Sequence, residues 1–229
     1  MTEPHTLPLN PKLQVSHLSL SFADAESWLF EDLSFSLKPG QILVISGKNS
    51  SGKSTLINCL CGIIPKNIPA LLEGSILWDD LPIESIPLCE IFRFMSVALA
   101  EPRDQLMLPT VELELAFALE NMGLPPEESA ARIARSADFF GLQKLLQADP
   151  LKLSGGEQRL LLLAICDSMQ NPVILLDEPE TGLSEAALNK LERWLKQMRD
   201  RGKSIVIASH LRRIMDLADI LVDLDKPDV

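Results

Sequence analysis

Gly47, Lys48, Asn49, Ser50, Ser51, Gly52, Lys53, Ser54 and Thr55 have the spacing GxxxxGK[ST]. Small residues here let successive backbone N–H groups turn inward around phosphate oxygens, and a helix starting at the lysine adds the positive end of its dipole. The chemistry is nucleoside triphosphate binding: Lys53 reaches the β- and γ-phosphates, Ser54 ligates Mg²⁺ and Thr55 contacts a phosphate oxygen. A second group ends the apolar run 173–176 with Asp177, Glu178 and Pro179. Asp177 suits the coordination sphere of Mg²⁺, and Glu178 suits polarising a water for in-line attack on the γ-phosphate. His210 follows a further apolar run, 205–208, where a histidine is either structural or placed to donate a hydrogen bond to the γ-phosphate and register its loss. His5 and His17 have no such setting and receive no role.

These groups need strands to carry them. Residues 42–45 precede the glycine-containing loop, and 56–64 follow it at helical spacing, so the order is strand, loop, helix. The runs 173–176 and 205–208 are near-continuously apolar, as parallel strands buried on both faces must be. Between them, Leu188, Leu191, Trp194, Leu195 and Met198 mark a helix over 184–199. The alternation predicts an α/β core. Residues 13–22 and 33–37 alternate apolar and polar positions and predict an antiparallel layer. Residues 74–78 read as a hairpin arm and 94–99 as a short strand. From about 99 to 151 the texture is helical, with one helix starting at Pro125-Pro126 and continuing through Ala130, Ile133 and Ala137.

The 229 residues are 46% apolar and 23% charged, enough to bury a full core in one domain or one domain with a subdomain. With 21 Lys+Arg against 32 Asp+Glu, the net charge is -11, which opposes unaided binding to nucleic acid or an anionic membrane. No run approaches the roughly 20 apolar residues of a spanning helix. The start, MTEPHTLPLNPK, is polar and proline-rich, unlike a signal peptide, so a cytoplasmic location is expected. Cys59, Cys61, Cys89 and Cys166 lie among apolar residues without metal-ligand spacing and read as reduced structural thiols.

Leu153, Ser154, Gly155, Gly156, Glu157 and Gln158 stand between the two phosphate motifs. Ser154 is a good helix N-cap, the glycines expose backbone N–H groups, and 160–164 begins an apolar helix. In this order the chain resembles the ATP-binding-cassette (ABC) nucleotide-binding domains, whose signature is LSGGQ. The resemblance runs from about Leu13 to Val222. It implies a P-loop NTPase core of α/β class with an antiparallel β subdomain and an α-helical subdomain: residues 1–98 and 153–229 as the core, 99–152 as the helical insert. It further implies ATP and Mg²⁺ as ligands, and a switch role for His210. A head-to-tail dimer follows, in which Ser154, Gly155 and Gly156 of one copy complete the ATP site of the other. The family also places an aromatic ring on adenine, here Phe22, with Trp28 as second choice.

The stretch from Glu101 to Pro126 is similar to the energy-coupling-factor ATPases of cobalt and vitamin importers. That implies a second ATPase subunit, identical or different, a transmembrane coupling protein and a substrate-binding membrane subunit, with this chain peripheral on the cytoplasmic face. Departures from the family pattern are local. Ala100 replaces its Q-loop glutamine, with Gln105 close but not equivalent. Ser184 stands in place of the aspartate after Leu183, Ser50 in place of a common glycine, and Glu157 in place of the signature's glutamine. Intact Lys53, Asp177, Glu178 and His210 predict ATP hydrolysis, slow if these departures matter. The alternative is a soluble ABC ATPase in iron–sulfur assembly or another non-transport role. A DNA-repair role would require long coiled-coil arms, for which the interval between the phosphate motifs has no room.

Overall fold

The computed structural model describes residues 11–23, 25 and 27–225. The polar start thus lies largely outside the described residues. The period-2 segments form β1 (Leu13–Ser21) and β2 (Phe30–Leu37), and with β4 (Leu71–Trp78) and β5 (Leu81–Pro82) they make an antiparallel sheet of order β2-β1-β4-β5. The β4–β5 hairpin turns through Asp79 and Asp80, both at positive φ, as a tight hairpin requires. The second sheet is parallel, in order β6-β7-β8-β3-β9: β3 (Ile42–Ser46), β6 (Met95–Ala98), β7 (Val173–Asp177), β8 (Ser204–Ala208) and β9 (Ile220–Asp223).

The continuous apolar strands are explained by cover on both faces. Leu43, Ile45, Leu175 and Val206 join one core with the antiparallel sheet and α1 (Lys53–Leu60). Ile42, Val44, Ile174, Leu176 and Ile205 join a second core with α4 (Val111–Asn121), α5 (Pro126–Phe140), α6 (Gly155–Met169) and α7 (Glu185–Asp200). A buried polar pin fastens three of these helices: Asp167 accepts from Ser136 Oγ at 2.5 Å and from Trp194 Nε1 at 3.0 Å. Because β3, β7 and β8 are parallel neighbours, their C-terminal ends share one edge, where α/β sheets bind ligands.

The helix expected over 56–64 ends at Leu60. Gly62, at φ 73, turns the chain, and the four-residue α2 (Ile63–Lys66) follows. The signature helix begins at Gly155, earlier than its apolar run, because Ser154 caps it. Sequence reading missed α3 (Leu88–Phe94), α8 (Arg212–Met215), β5 and β9, all short. Cys89 is a correction: it lies exposed on the first turn of α3, whereas Cys59, Cys61 and Cys166 are buried. Burial pushes those three thiols up to about 12, 11 and 12, so they stay protonated and unreactive.

Candidate active site

The loop 47–52 leaves β3 and ends in α1. Gly52 caps that helix at φ 99, and a Cβ there would lie 3.1–3.2 Å from Leu29 and Phe30, so conformation and space both demand glycine. Lys53 is buried, its Nζ donating to the carbonyls of Gly47 at 3.0 Å and Lys48 at 2.9 Å. These bonds close the loop on itself and hold the ammonium at its mouth. Asp225, just after β9, accepts from Lys48 N at 3.0 Å and braces the loop from behind. Ser50 sits at φ 66, the left-handed region, which explains why glycine suits this position.

In front of the loop lies a cleft of about 430 Å³ lined by Phe22, Leu29, Asn49, Ser50, Gly52, Lys53, Ser54, Thr55 and Glu178. Volumes of this order suit a small-molecule ligand. Of the two aromatic candidates, Phe22 lines the cleft and Trp28 does not.

β7 delivers the acids. Asp177 is buried beneath the cleft. Its carboxyl is pushed up chiefly by that burial and by Glu178, against the opposing pull of the Ser54 hydroxyl, Lys53 and Arg159. Its Oδ1 is buried with no hydrogen-bond partner. An orphaned carboxylate oxygen beside a serine hydroxyl fits a hard divalent cation. Among the described residues no three acidic, cysteine or histidine side chains are arranged to hold a metal by themselves. Ser54 and Asp177 would suit Mg²⁺, which keeps waters and shares substrate phosphates. Glu178 turns out of the strand at φ 46, an unusual conformation for a side chain of its size and typical of functional strain. Its Oε1 lies 3.9 Å from Lys53 Nζ and 3.8 Å from His210 Nδ1. Lysine, glutamate and histidine thus converge from α1, β7 and the end of β8.

Ser154, Gly155 and Gly156 do not reach this cleft. They open α6 through a capping box: Ser154 Oγ accepts from Glu157 N at 3.3 Å, and Glu157 Oε2 accepts from Ser154 N at 2.9 Å and Oγ at 2.7 Å. These bonds hold the Glu157 carboxyl below its ordinary range and give glutamate a local reason to stand in the signature. Gln105 is committed elsewhere, accepting from Leu99 N at 2.7 Å and donating to Val97 O at 3.0 Å. It cannot substitute for a glutamine at Ala100.

Three buried polar residues beside the site were not read from the sequence: Arg159, Glu180 and Ser209. Arg159 bonds to Leu99 O at 3.4 Å. Burial pulls its guanidinium down from its ordinary range, and Glu101, Glu180, Asp177 and Glu178 counter that pull, so it stays a cation. For Glu180 a signal existed, a third carboxylate within four residues of Asp177.

The parallel sheet, phosphate-type loop and capped glycine turn define a nucleotide-binding domain of the cassette kind. The profile described as ABC transporter matches residues 30–181, and the chain belongs to that family. It is 30% identical over 215 residues to a putative ABC transporter ATP-binding protein of Sulfurisphaera tokodaii, covering 93% of this chain and 45% of that protein. The chain thus spans less than half the length of that relative. It is 29% identical over 212 residues to the energy-coupling factor transporter ATP-binding protein EcfA1 of Thermotoga maritima, covering 93% and 78%. The structure of cbiO1 from Clostridium perfringens, described as part of the ABC transporter complex cbiONQ, matches with 26% identity and a TM-score of 0.77, covering 92% of this chain and 83% of that one.

Proposed function

We propose that the chain binds and hydrolyses ATP with Mg²⁺ to power a membrane importer of the energy-coupling-factor type, through ATP-driven closure of a dimer of such domains. The observation carrying this reading is the cleft lined by Asn49, Ser50, Gly52, Lys53, Ser54, Thr55 and the Glu178 carboxylate, with the partnerless Asp177 Oδ1 buried next to it in sequence and in reach of the Ser54 hydroxyl. Lys53 and the backbone N–H groups of 49–55 hold the β- and γ-phosphates, and Phe22 lies against the base. Ser54 and Asp177 hold Mg²⁺, which when bound neutralises the phosphate charge. Glu178 accepts the proton of the attacking water, and His210, beside it, stabilises the γ-phosphate. Ser154, Gly155 and Gly156 act on the ATP of a second copy or a related subunit. In this reading 99–152 is the helical insert and 1–98 with 153–229 the core.

The importer assignment draws on the stretch 101–126 and on the relatives named for energy-coupling factor and cbiONQ assemblies. Its partners are a second ATPase subunit, a transmembrane coupling protein and a substrate-binding membrane subunit. Among the described residues no helix is long and apolar enough to cross a membrane; the proposed place of the chain is peripheral, on the cytoplasmic face. Ala100 in the Q-loop position and the fully engaged Gln105 favour slow turnover. Affinity purification from solubilised membranes tests the reading. A polytopic membrane protein in the eluate supports the importer, whereas exclusively soluble partners reject it in favour of a soluble ATPase.

A further inference from the structure

Glu180 is a carboxylate at 7% exposure, two residues beyond Glu178, and its Oε2 has no hydrogen-bond partner. An apolar residue of that size would be cheaper to bury. Its Oε1 accepts a hydrogen bond from Ser209 Oγ, and Ser209 is fully buried. The same Ser209 Oγ accepts from Leu211 N at 3.0 Å, while Ser209 N donates to Ile45 O at 3.0 Å in β3. The residues on both sides of His210 are therefore tied through one hydroxyl to the loop that follows Glu178. A second tie runs alongside, Glu178 N donating to Ala208 O at 2.9 Å. His210 itself is exposed, and among the described residues its ring makes no hydrogen bond, only the 3.8 Å approach to Glu178. These bonds therefore hold the backbone on either side of a ring that has no hydrogen bond of its own.

We propose that Glu180 and Ser209 form a buried latch that holds His210 beside the Glu178 carboxylate, making both of them positioning residues for turnover. The proposal rests on the ATPase reading of the cleft. In that reading, fixing the histidine before the transition state removes an ordering cost from the chemical step. Neither latch residue lines the cleft, so ATP binding should be spared.

The test compares Ser209→Ala, Glu180→Met and their double variant with wild type, alongside Glu180→Gln, which keeps an oxygen able to accept from Ser209. Each single variant should lose about tenfold in kcat with KM for ATP changed less than about twofold. The double variant should be no worse than the poorer single, because both remove one interaction. Glu180→Gln should recover most of the kcat lost in Glu180→Met. Unchanged kcat in both singles overturns the latch, as does parallel loss of kcat, ATP affinity and melting temperature. If wild type and Glu178→Gln release phosphate equally, the ATPase reading fails instead. The latch is then judged on the ring resonance of His210, one of three histidines, assigned by its disappearance in His210→Ala. That resonance should shift or broaden in both singles and return in Glu180→Gln, and an unmoved signal overturns the latch.

Discussion

The loop 47–55 and the turn at Ser154, Gly155 and Gly156 both present backbone N–H groups at the start of a helix, in opposite settings. The first faces carboxylates of its own chain, its lysine is buried and its cleft has walls. The second faces outward: Ser154 and Gly155 are exposed, and a Cβ added at Gly155 would meet nothing within 4 Å. Gly156 differs from its neighbour, since a Cβ there would stand 3.0 Å from Gly182 O. A helix end with a satisfied cap and empty space in front needs no glycine for its own folding. In the proposed dimer the need at Gly155 comes from the subunit that approaches it, whereas the needs at Gly52 and Gly156 arise inside the chain.

The largest effect should come from the walled side. Glu178→Gln keeps the size and polarity of the residue but removes the proton acceptor, so phosphate release should fall by at least about 10²-fold while ATP binding, read by isothermal titration, persists. Turnover at the wild-type rate would remove Glu178 from the general-base role. On the open side, Gly155→Asp should leave the melting temperature within a few degrees of wild type, because the side chain points into free space. Turnover should nonetheless fall by about tenfold or more, because in the proposed dimer a carboxylate would enter the surface that receives another subunit's phosphates. Mixing this variant with Lys53→Ala sharpens the point. Each chain then lacks a different half, and recovered activity means that the halves work in trans; no recovery places both in one chain.

The two regions also differed in how they could be read. The walled site was legible because its demands are local: GxxxxGK[ST] fixes a loop, and an apolar strand ending in two acids fixes a sheet edge. The parallel core was legible too, since burial on both faces leaves runs such as 173–176 with no polar member. Glu180, Ser209 and Arg159 were not, because a buried polar residue is defined by its partners, and Ser209 meets Glu180 only once β7 and β8 pair. Likewise β9 has half-exposed residues and only four positions, too few for a period to show. Cys89 looked buried because its neighbours in sequence are apolar, yet α3 turns it outward.

A third experiment separates the sides by pH. Burial holds the Asp177 carboxyl above its unfolded value. Such a group contributes stability that is fully present below the unfolded pKa and is lost as pH rises through the folded one. Without ligand, the melting temperature should therefore gain a contribution from Asp177 as the pH falls from neutrality toward the ordinary carboxylate range. Asp177→Asn should flatten that slope and raise the midpoint at neutral pH, while abolishing the extra stability given by Mg²⁺ and ATP together. The same scan on Ser154→Ala should keep the Asp177 gain, lose a cap worth about 1 kcal/mol at neutral pH, and shed part of the Glu157 contribution that wild type loses as the pH falls through the carboxylate range. Equal slopes for wild type and Asp177→Asn would mean that Asp177 bears no such strain.

The smallest effect bears on whether the walled loop exists before its ligand does. Ser50 at φ 66 occupies a conformation that costs a side chain about 1 kcal/mol or more relative to glycine. Glycine relieves this cost but gains freedom in the unfolded chain, an opposing term of roughly 0.5–1 kcal/mol. Ser50→Gly should therefore be neutral to slightly stabilising, with a melting temperature raised by no more than about 2 °C for a chain of this size. Ser50→Val, branched at the β-carbon, cannot adopt the conformation cheaply and should lose about 1 kcal/mol or more. If the loop is built by the chain, through Lys53 on its carbonyls and Asp225 behind it, this difference appears in the free protein. A difference seen only with ATP would mean that the ligand shapes the loop, and the contrast between a prepared side and a waiting side would dissolve.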